Sequence, residues 1–167
     1  MTEQAHLPRH GMKQKTAFIM VVIATMVLSV ACHNTTIYND YQHTHLKGWK
    51  KNNRLNFHVP PMQDAATCQQ YIGIRLTDLY PFQTLSLIIQ QTIYPENKTL
   101  ADTLNFEVID EQGQLRGNGI NISQMELPFR SVTLKEGDSI HVTIQHNMRR
   151  DILEGISDIG LRIETKE

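Results

Sequence analysis

Cys32 stands at the end of an uncharged apolar run, Ala17 to Ala31, that follows Lys13 and Lys15. A thiol in that place is positioned to become the acylated first residue of a processed chain. The other reactive side chains form no complete constellation. His43 and His45 lie two apart and could share one face of an extended segment, which is half a metal site without a third ligand. His141 and His146 have the same shortfall. Cys68 is the second of two cysteines, and it reads as a small buried residue rather than a reactive thiol. If Cys32 carries lipid, Cys68 has no partner for an intramolecular disulfide. Gly113, Gly117 and Gly119 follow a charged turn and lack dinucleotide spacing. Neither a Gly-x-Ser-x-Gly elbow nor a His-Glu-x-x-His motif is present, and the carboxylates are scattered. The expectation is a non-enzyme with no metal and no cofactor beyond the covalent lipid.

The segment before Cys32 has the parts of an export signal: a basic stretch, an apolar stretch and a small residue, Ala31, before the cut. Its fifteen apolar residues fall short of the roughly 20 that span a bilayer as a helix. Leu28-Ser29-Val30-Ala31-Cys32 resembles a bacterial lipobox, with Ser29 where leucine is usual. Met12-Lys13-Gln14-Lys15 makes a more ordinary start than Met1, so translation is expected to begin at Met12. The chain is thus read as a signal peptide over 1–31, a lipidated N-terminus and polar tether over 32–53, and a folded domain over 54–167. His33 stands where an inner-membrane retention aspartate would stand, and no acidic surface-export tag follows. A periplasm-facing position on the outer membrane is therefore expected, with palmitate as the metabolic label.

Removing residues 1–31 takes away Arg9, Lys13, Lys15 and Glu3, leaving 13 basic against 16 acidic residues, net −3. No global field favours nucleic acid, and no nucleic-acid motif appears. Within the tether, Lys47, Lys50, Lys51 and Arg54 form a basic patch that could touch anionic headgroups. Trp49 interrupts it and is expected to pack on the domain edge.

From Leu55 onward the apolar residues recur with period two: Leu55, Phe57, Val59; Ile72, Ile74, Leu76; Leu85, Leu87, Ile89; Leu104, Phe106, Val108; Val132, Leu134; Ile140, Val142, Ile144; Leu161, Ile163. Residues two apart share one face of a strand. Turn residues separate the runs at Pro60-Pro61, Tyr80-Pro81, Pro95-Glu96-Asn97, Asp110–Gly113, Gly117–Gly119 and Glu136-Gly137-Asp138. The pattern predicts an all-β antiparallel sandwich of seven to eight strands. Short helices are allowed only near Asp64–Gln70 or Arg149–Glu154. Asn34, Asn97 and Asn121 head Asn-x-Ser/Thr triplets of little weight. Asp102-Thr103-Leu104 and Asp138-Ser139-Ile140 resemble a three-residue O-glycosylation sequon of Bacteroidota, which makes Thr103 and Ser139 candidate modification sites.

Taken in order, these segments resemble the gliding-motility lipoprotein GldH family of Bacteroidota. The likeness is carried by Cys32, Tyr38-Asn39-Asp40-Tyr41, Trp49, Ile74-Arg75-Leu76, Tyr80-Pro81-Phe82 and Asp102-Thr103-Leu104. Its strongest stretch is Gln145-His146-Asn147-Met148-Arg149 followed by Gly155 to Glu164. The resemblance implies a small envelope lipoprotein associated with the gliding apparatus and type IX secretion, with other envelope proteins as partners and no catalytic residues. Arg and aromatic residues dominate binding hot spots, so Trp49, Tyr80, Phe82, Met148 and Arg149 are candidate docking residues. Gly155–Gly160 suits a tight connection, and Arg162 suits a cross-strand acidic partner. A carbohydrate-binding sandwich is the second reading; it requires aromatics on one outer face, with Tyr71 and Trp49 as its test. A hydrolase, the third, would need an acidic cleft.

Overall fold

The computed structural model describes residues 35–45 and 47–166, and every regular element within them is a strand. In chain order these are β1 (Thr36–His43), β2 (Trp49–Lys50), β3 (Leu55–Val59), β4 (Ala66–Leu76), β5 (Thr84–Tyr94), β6 (Lys98–Glu107), β7 (Ser123–Leu134), β8 (Ser139–His146), β9 (Ile152–Leu153) and β10 (Ile156–Thr165). Sheet I has the order β1-β10-β4-β7, sheet II the order β3-β8-β5-β6, and β2 pairs with β9 in a small ribbon. All pairings are antiparallel.

Alternation builds the core. Ile72, Ile74, Leu76, Ile159, Leu161 and Ile163 of sheet I join Phe57, Leu85, Leu87, Ile89, Ile140, Val142 and Ile144 of sheet II in one buried cluster. Each such side chain stabilises the fold by about 1.5–3 kcal/mol relative to exposure. Gln70 and Gln91 also point into this interior, 0% and 1% exposed, and their side-chain amides have no hydrogen-bond partner among the described residues.

The sandwich has two unlike poles. At one, Thr35 accepts from the Thr165 amide at 2.8 Å, and tight connections meet: Met62 N donates to Asp138 O at 2.9 Å, and Lys135 reaches Glu96 at 2.6 Å. At the other, the long connections 44–54, 77–83, 108–122 and 147–155 bind one another. Thr44 N donates to Ser157 O, Thr77 N to Gly155 O, Lys51 N to Asp151 O and Val108 N to Gln83 O, at 2.8–3.0 Å. Strand β1 runs from the first pole to the second.

The open flanks are closed by side chains, which blunts edges that would otherwise pair with other chains. The Gln42 amide on β1 donates to Asn56 O of β3 and accepts from Asn56 N, so one side chain stands in for a strand neighbour. On the opposite flank Arg130 of β7 pairs with Asp102 of β6. Pro128 sits at the bulge of edge strand β7, where its missing donor costs no ladder bond.

Three expectations are corrected. The tether expected over 33–53 is folded from Thr36 onward: β1 pairs along its length with β10. As an edge strand it buries little, so its sequence lacks the apolar alternation of the inner strands. The segments allowed as helices hold the start of β4 and all of β9. Gly160 lies in the middle of β10, not in a tight connection. The expected signal peptide, Met12 and Cys32 lie outside the described residues.

Candidate functional site

The outer face of sheet I carries the densest arrangement of polar and aromatic side chains. Tyr41, Gly160, Gly73 and Glu126 form one cross-strand row over four strands. The Tyr41 ring lies across both glycines: a Cβ on Gly160 would stand 2.6 Å from a ring carbon, and one on Gly73 would strike the phenol oxygen. A glycine in a strand interior marks such a close approach. The Tyr41 hydroxyl donates to Glu126 Oε1 at 3.1 Å, and Arg162 Nε donates to Glu126 Oε2 at 2.8 Å. Arg162 also pairs with Glu164, and its guanidinium lies 4.1 Å from the Tyr71 ring centroid. Arg75 lies 4.0 Å from the Tyr41 centroid and donates to Gln124 Oε1 at 2.9 Å.

Burial, then the Glu126 carboxylate, pushes the Tyr41 phenol up to about 12. The hydrogen bond between Tyr71 and Glu164 raises the phenol and holds the carboxyl below its ordinary range. Both phenols are therefore neutral at physiological pH, and Arg162 is ion-paired. The face is a fixed, mutually satisfied surface with no activated nucleophile or base. Period-two reading placed Gly73 on this side of β4, but nothing in a strand pattern says that a tyrosine from β1 covers it. Two glycines each flanked by isoleucine or leucine, Ile72-Gly73-Ile74 and Ile159-Gly160-Leu161, were the available signal.

The second feature is a cleft of about 420 Å³ at the long-loop pole, lined by His43, His45, Lys47, Leu79, Glu154 and Ser157 among others. His43 contacts the buried Asp158 carboxylate, and His45 Nδ1 accepts from the Lys47 amide at 3.2 Å. Among the described residues no group of three His, Cys, Asp or Glu could hold a metal ion.

The five candidate docking residues divide. Trp49 is 0% exposed and Tyr80 3%, so neither is available to a partner, and both plug the end of the core. The Trp49 indole donates to Asn53 O at 2.7 Å and packs edge-on against His146, whose Nε2 meets Trp49 O at 3.1 Å. The Tyr80 hydroxyl donates to Thr84 O at 2.9 Å. Large aromatics near a domain end are read from sequence as surface anchors or as core plugs with equal ease, and here the second holds. Phe82 is half-buried, edge-on to Tyr80 and under Arg150 at 5.5 Å. Met148 is half-buried, its sulfur accepting from Ser86 N at 3.4 Å. Arg149 is exposed. Thr103 is exposed on edge strand β6, whereas Ser139 is half-buried and Asp138 is held by the Lys135 amide at 2.9 Å. Cys68 is buried, and burial raises its thiol pKa.

Taken together, these features define a class: a small antiparallel β-sandwich with a Tyr/Arg/Glu outer face and a loop-built cleft at one pole. Within that class the chain belongs to the GldH lipoprotein family, whose sequence model matches residues 36–163. It is similar to the gliding motility lipoprotein GldH homolog of Christiangramia forsetii, 28% identical over 163 residues that cover 92% of this chain and 99% of the relative. It is also similar to the gliding motility lipoprotein GldH of Flavobacterium johnsoniae, 27% identical over 165 residues that cover 93% and 100%. Among solved structures, a family GH115 4-O-methyl-α-glucuronidase aligns with a TM-score of 0.44 at 11% identity, over 81% of this chain and 18% of the enzyme. A likeness that loose says nothing about activity. The segments that carry the family resemblance converge in space: Tyr41, Arg75, Gly160, Arg162 and Glu164 meet on sheet I, while Trp49, Tyr80 and His146 lie in the plugged end.

Proposed function

We propose that the protein is a non-enzymatic assembly module of the motility or linked secretion apparatus, held on the outer membrane by lipid on Cys32 and facing the periplasm. Its partners would be the membrane, through that lipid, and other envelope proteins. The observation that carries this reading is how near to Cys32 in sequence β1 is already held in sheet I. Two residues, His33 and Asn34, separate Cys32 from Thr35, a reach of at most about 10 Å, and β1 is paired into sheet I from Thr36. A lipid at Cys32 would then confine the whole sandwich to a thin layer and raise its effective concentration for membrane-embedded partners. Thr103 stays accessible for O-glycosylation in this arrangement, and Ser139 is the poorer candidate.

The carbohydrate-binding reading is not favoured. Tyr41 and Tyr71 share an outer face, but guanidinium groups lie over both rings, where a sugar ring would have to stack, and Trp49 is buried. The test is palmitate labelling of wild type and Cys32→Ala with membrane fractionation, followed by crosslinking in the envelope. Label and membrane association should vanish in the variant, together with crosslinks to motility or secretion components. Equal fractionation of both proteins would reject the proposal.

A further inference from the structure

The pole farthest from Thr35 has a charge unlike the rest of the protein. Segments 47–54 and 147–155 bring together Lys47, Lys50, Lys51, Arg54, Arg149 and Arg150 around the β2–β9 ribbon, against Asp151 and Glu154 within those segments, net +4; Asp78, Asp110, Glu111 and Arg116 of the other two connections bring the whole pole to net +2, on a mature chain of net −3. The two segments are about 100 residues apart in sequence and are joined by Lys51 Nζ to Met148 O at 2.9 Å and the Lys51 N to Asp151 O bond, while Arg54 Nε donates to Gln145 Oε1 at the end of β8 at 3.0 Å. Lys and Arg ion pairs among the described residues involve Arg116, Arg130, Lys135 and Arg162; none of the six pole cations is in one. Of the large apolar side chains exposed at this pole, Leu79 at 69% and Ile152 at 46% stand by the cleft and the ribbon, while Ile120 and Ile122 belong to the connection 108–122. Ile152 abuts Gly48, and Leu79 lines the cleft with Lys47 and His45.

We propose that this pole is a docking surface for an acidic, leucine-bearing segment of a partner protein. Unpaired cations retain their full field for an incoming anion, and a cationic patch on an anionic body orients the encounter. Leu79 and Ile152 supply the apolar centre that gives a docked segment its residence time. Phe82, beneath Arg150, and Met148, whose carbonyl holds Lys51, support the rim rather than form the contact. The sequence alone allowed anionic headgroups as a ligand of Lys47 to Arg54, because these residues follow closely on Cys32. In the fold, the eight residues of β1 carry the chain about 25 Å along the sandwich before the ribbon begins, so the patch lies at the pole opposite Thr35. The preference for a protein over the anchoring membrane rests on lipid at Cys32, while the cation cluster stands without it.

The test uses the mature chain with an acidic peptide of Glu and Asp interspersed with leucine, its Lys/Arg counterpart, and phosphatidylglycerol vesicles as probes. Amide shifts are followed by NMR. The acidic peptide should move amides of 47–54, 79 and 147–155 and leave those around Thr35, Met62 and Glu96 in place. Binding should weaken about tenfold or more in Lys50→Glu with Arg150→Glu and again with added salt. Both side chains lie at the surface, so an unchanged melting temperature checks the fold of the variant, and Leu79→Ser tests the apolar centre independently. No shift at the pole, equal response to the basic peptide, or tighter binding of the vesicles than of the acidic peptide would each overturn the proposal. These outcomes are read without regard to acylation, so they are separable from failure of the lipid anchor.

Discussion

Gly160→Ala should destabilise the protein only while Tyr41 is present. The new methyl would stand 2.6 Å from a Tyr41 ring carbon, so the ring must lift by about 1 Å to regain ordinary contact. Lifting it weakens the hydroxyl bond to Glu126 at 3.1 Å, worth about 1 kcal/mol, and the Arg75 contact at 4.0 Å, worth about 0.5–1 kcal/mol. Re-exposing about 50 Å² of ring adds about 1 kcal/mol. Against this, alanine gains about 0.5–1 kcal/mol over glycine in a strand. The single variant should therefore lose about 1.5–2.5 kcal/mol. In a Tyr41→Ala background the same change should be neutral or stabilising, a coupling of about 2–3 kcal/mol. Urea unfolding followed by fluorescence of Trp49, the one tryptophan and fully buried, measures all four corners of the cycle. Equal costs of Gly160→Ala with and without Tyr41 would refute the covering role of the ring.

Other consequences are open to the same unfolding assay. Trp49→Ala, which removes the fluorophore and is therefore followed by circular dichroism in urea, should cost about 3–5 kcal/mol as a buried aromatic does; a value near zero would return Trp49 to the surface. Gln91→Leu should stabilise by about 1–3 kcal/mol, because a buried amide without a partner is replaced by an apolar group of like size, and a loss of stability would reveal a bonding partner, such as a buried water. Burial holds His146, and burial with the adjacent His58 holds His141, below the ordinary imidazole range. The unfolded chain takes up those protons first, so stability is complete above about pH 6.5 and declines as pH falls through that value toward the lowered folded ones. His146→Gln should make this slope shallower; an unchanged slope in acid-range melts would contradict the assignment.

The inner strands were legible because a strand buried on one face repeats every two residues, as Ile140-His141-Val142-Thr143-Ile144 does over β8. Strand β1 was not, because an edge strand held by Gln42, Tyr41 and a ladder to β10 needs no apolar stripe. The partners of Arg162 were anticipated in kind but not in place: Glu126 lies two strands away on β7, a distance in sequence that only the sheet order collapses. Trp49 and Tyr80 were misassigned for a related reason. Composition shows that a large aromatic must be covered, but the connection 147–155, which pairs with Trp49 through β9 and meets the Tyr80 turn at the Thr77 N to Gly155 O bond, reaches them only in the fold. The cationic pole was half legible, as Lys47 to Arg54, and its completion by Arg149 and Arg150 depends on the pairing of β2 with β9.

Intact-mass spectrometry of the protein extracted from native membranes bears on the anchor itself. A chain beginning at Cys32 and heavier than its polypeptide by acyl groups, with the added mass localised to Cys32, is the expected result. A chain that keeps its apolar leader, or that begins at or beyond Cys32 with no lipid, would contradict the proposed tether and the role built on it.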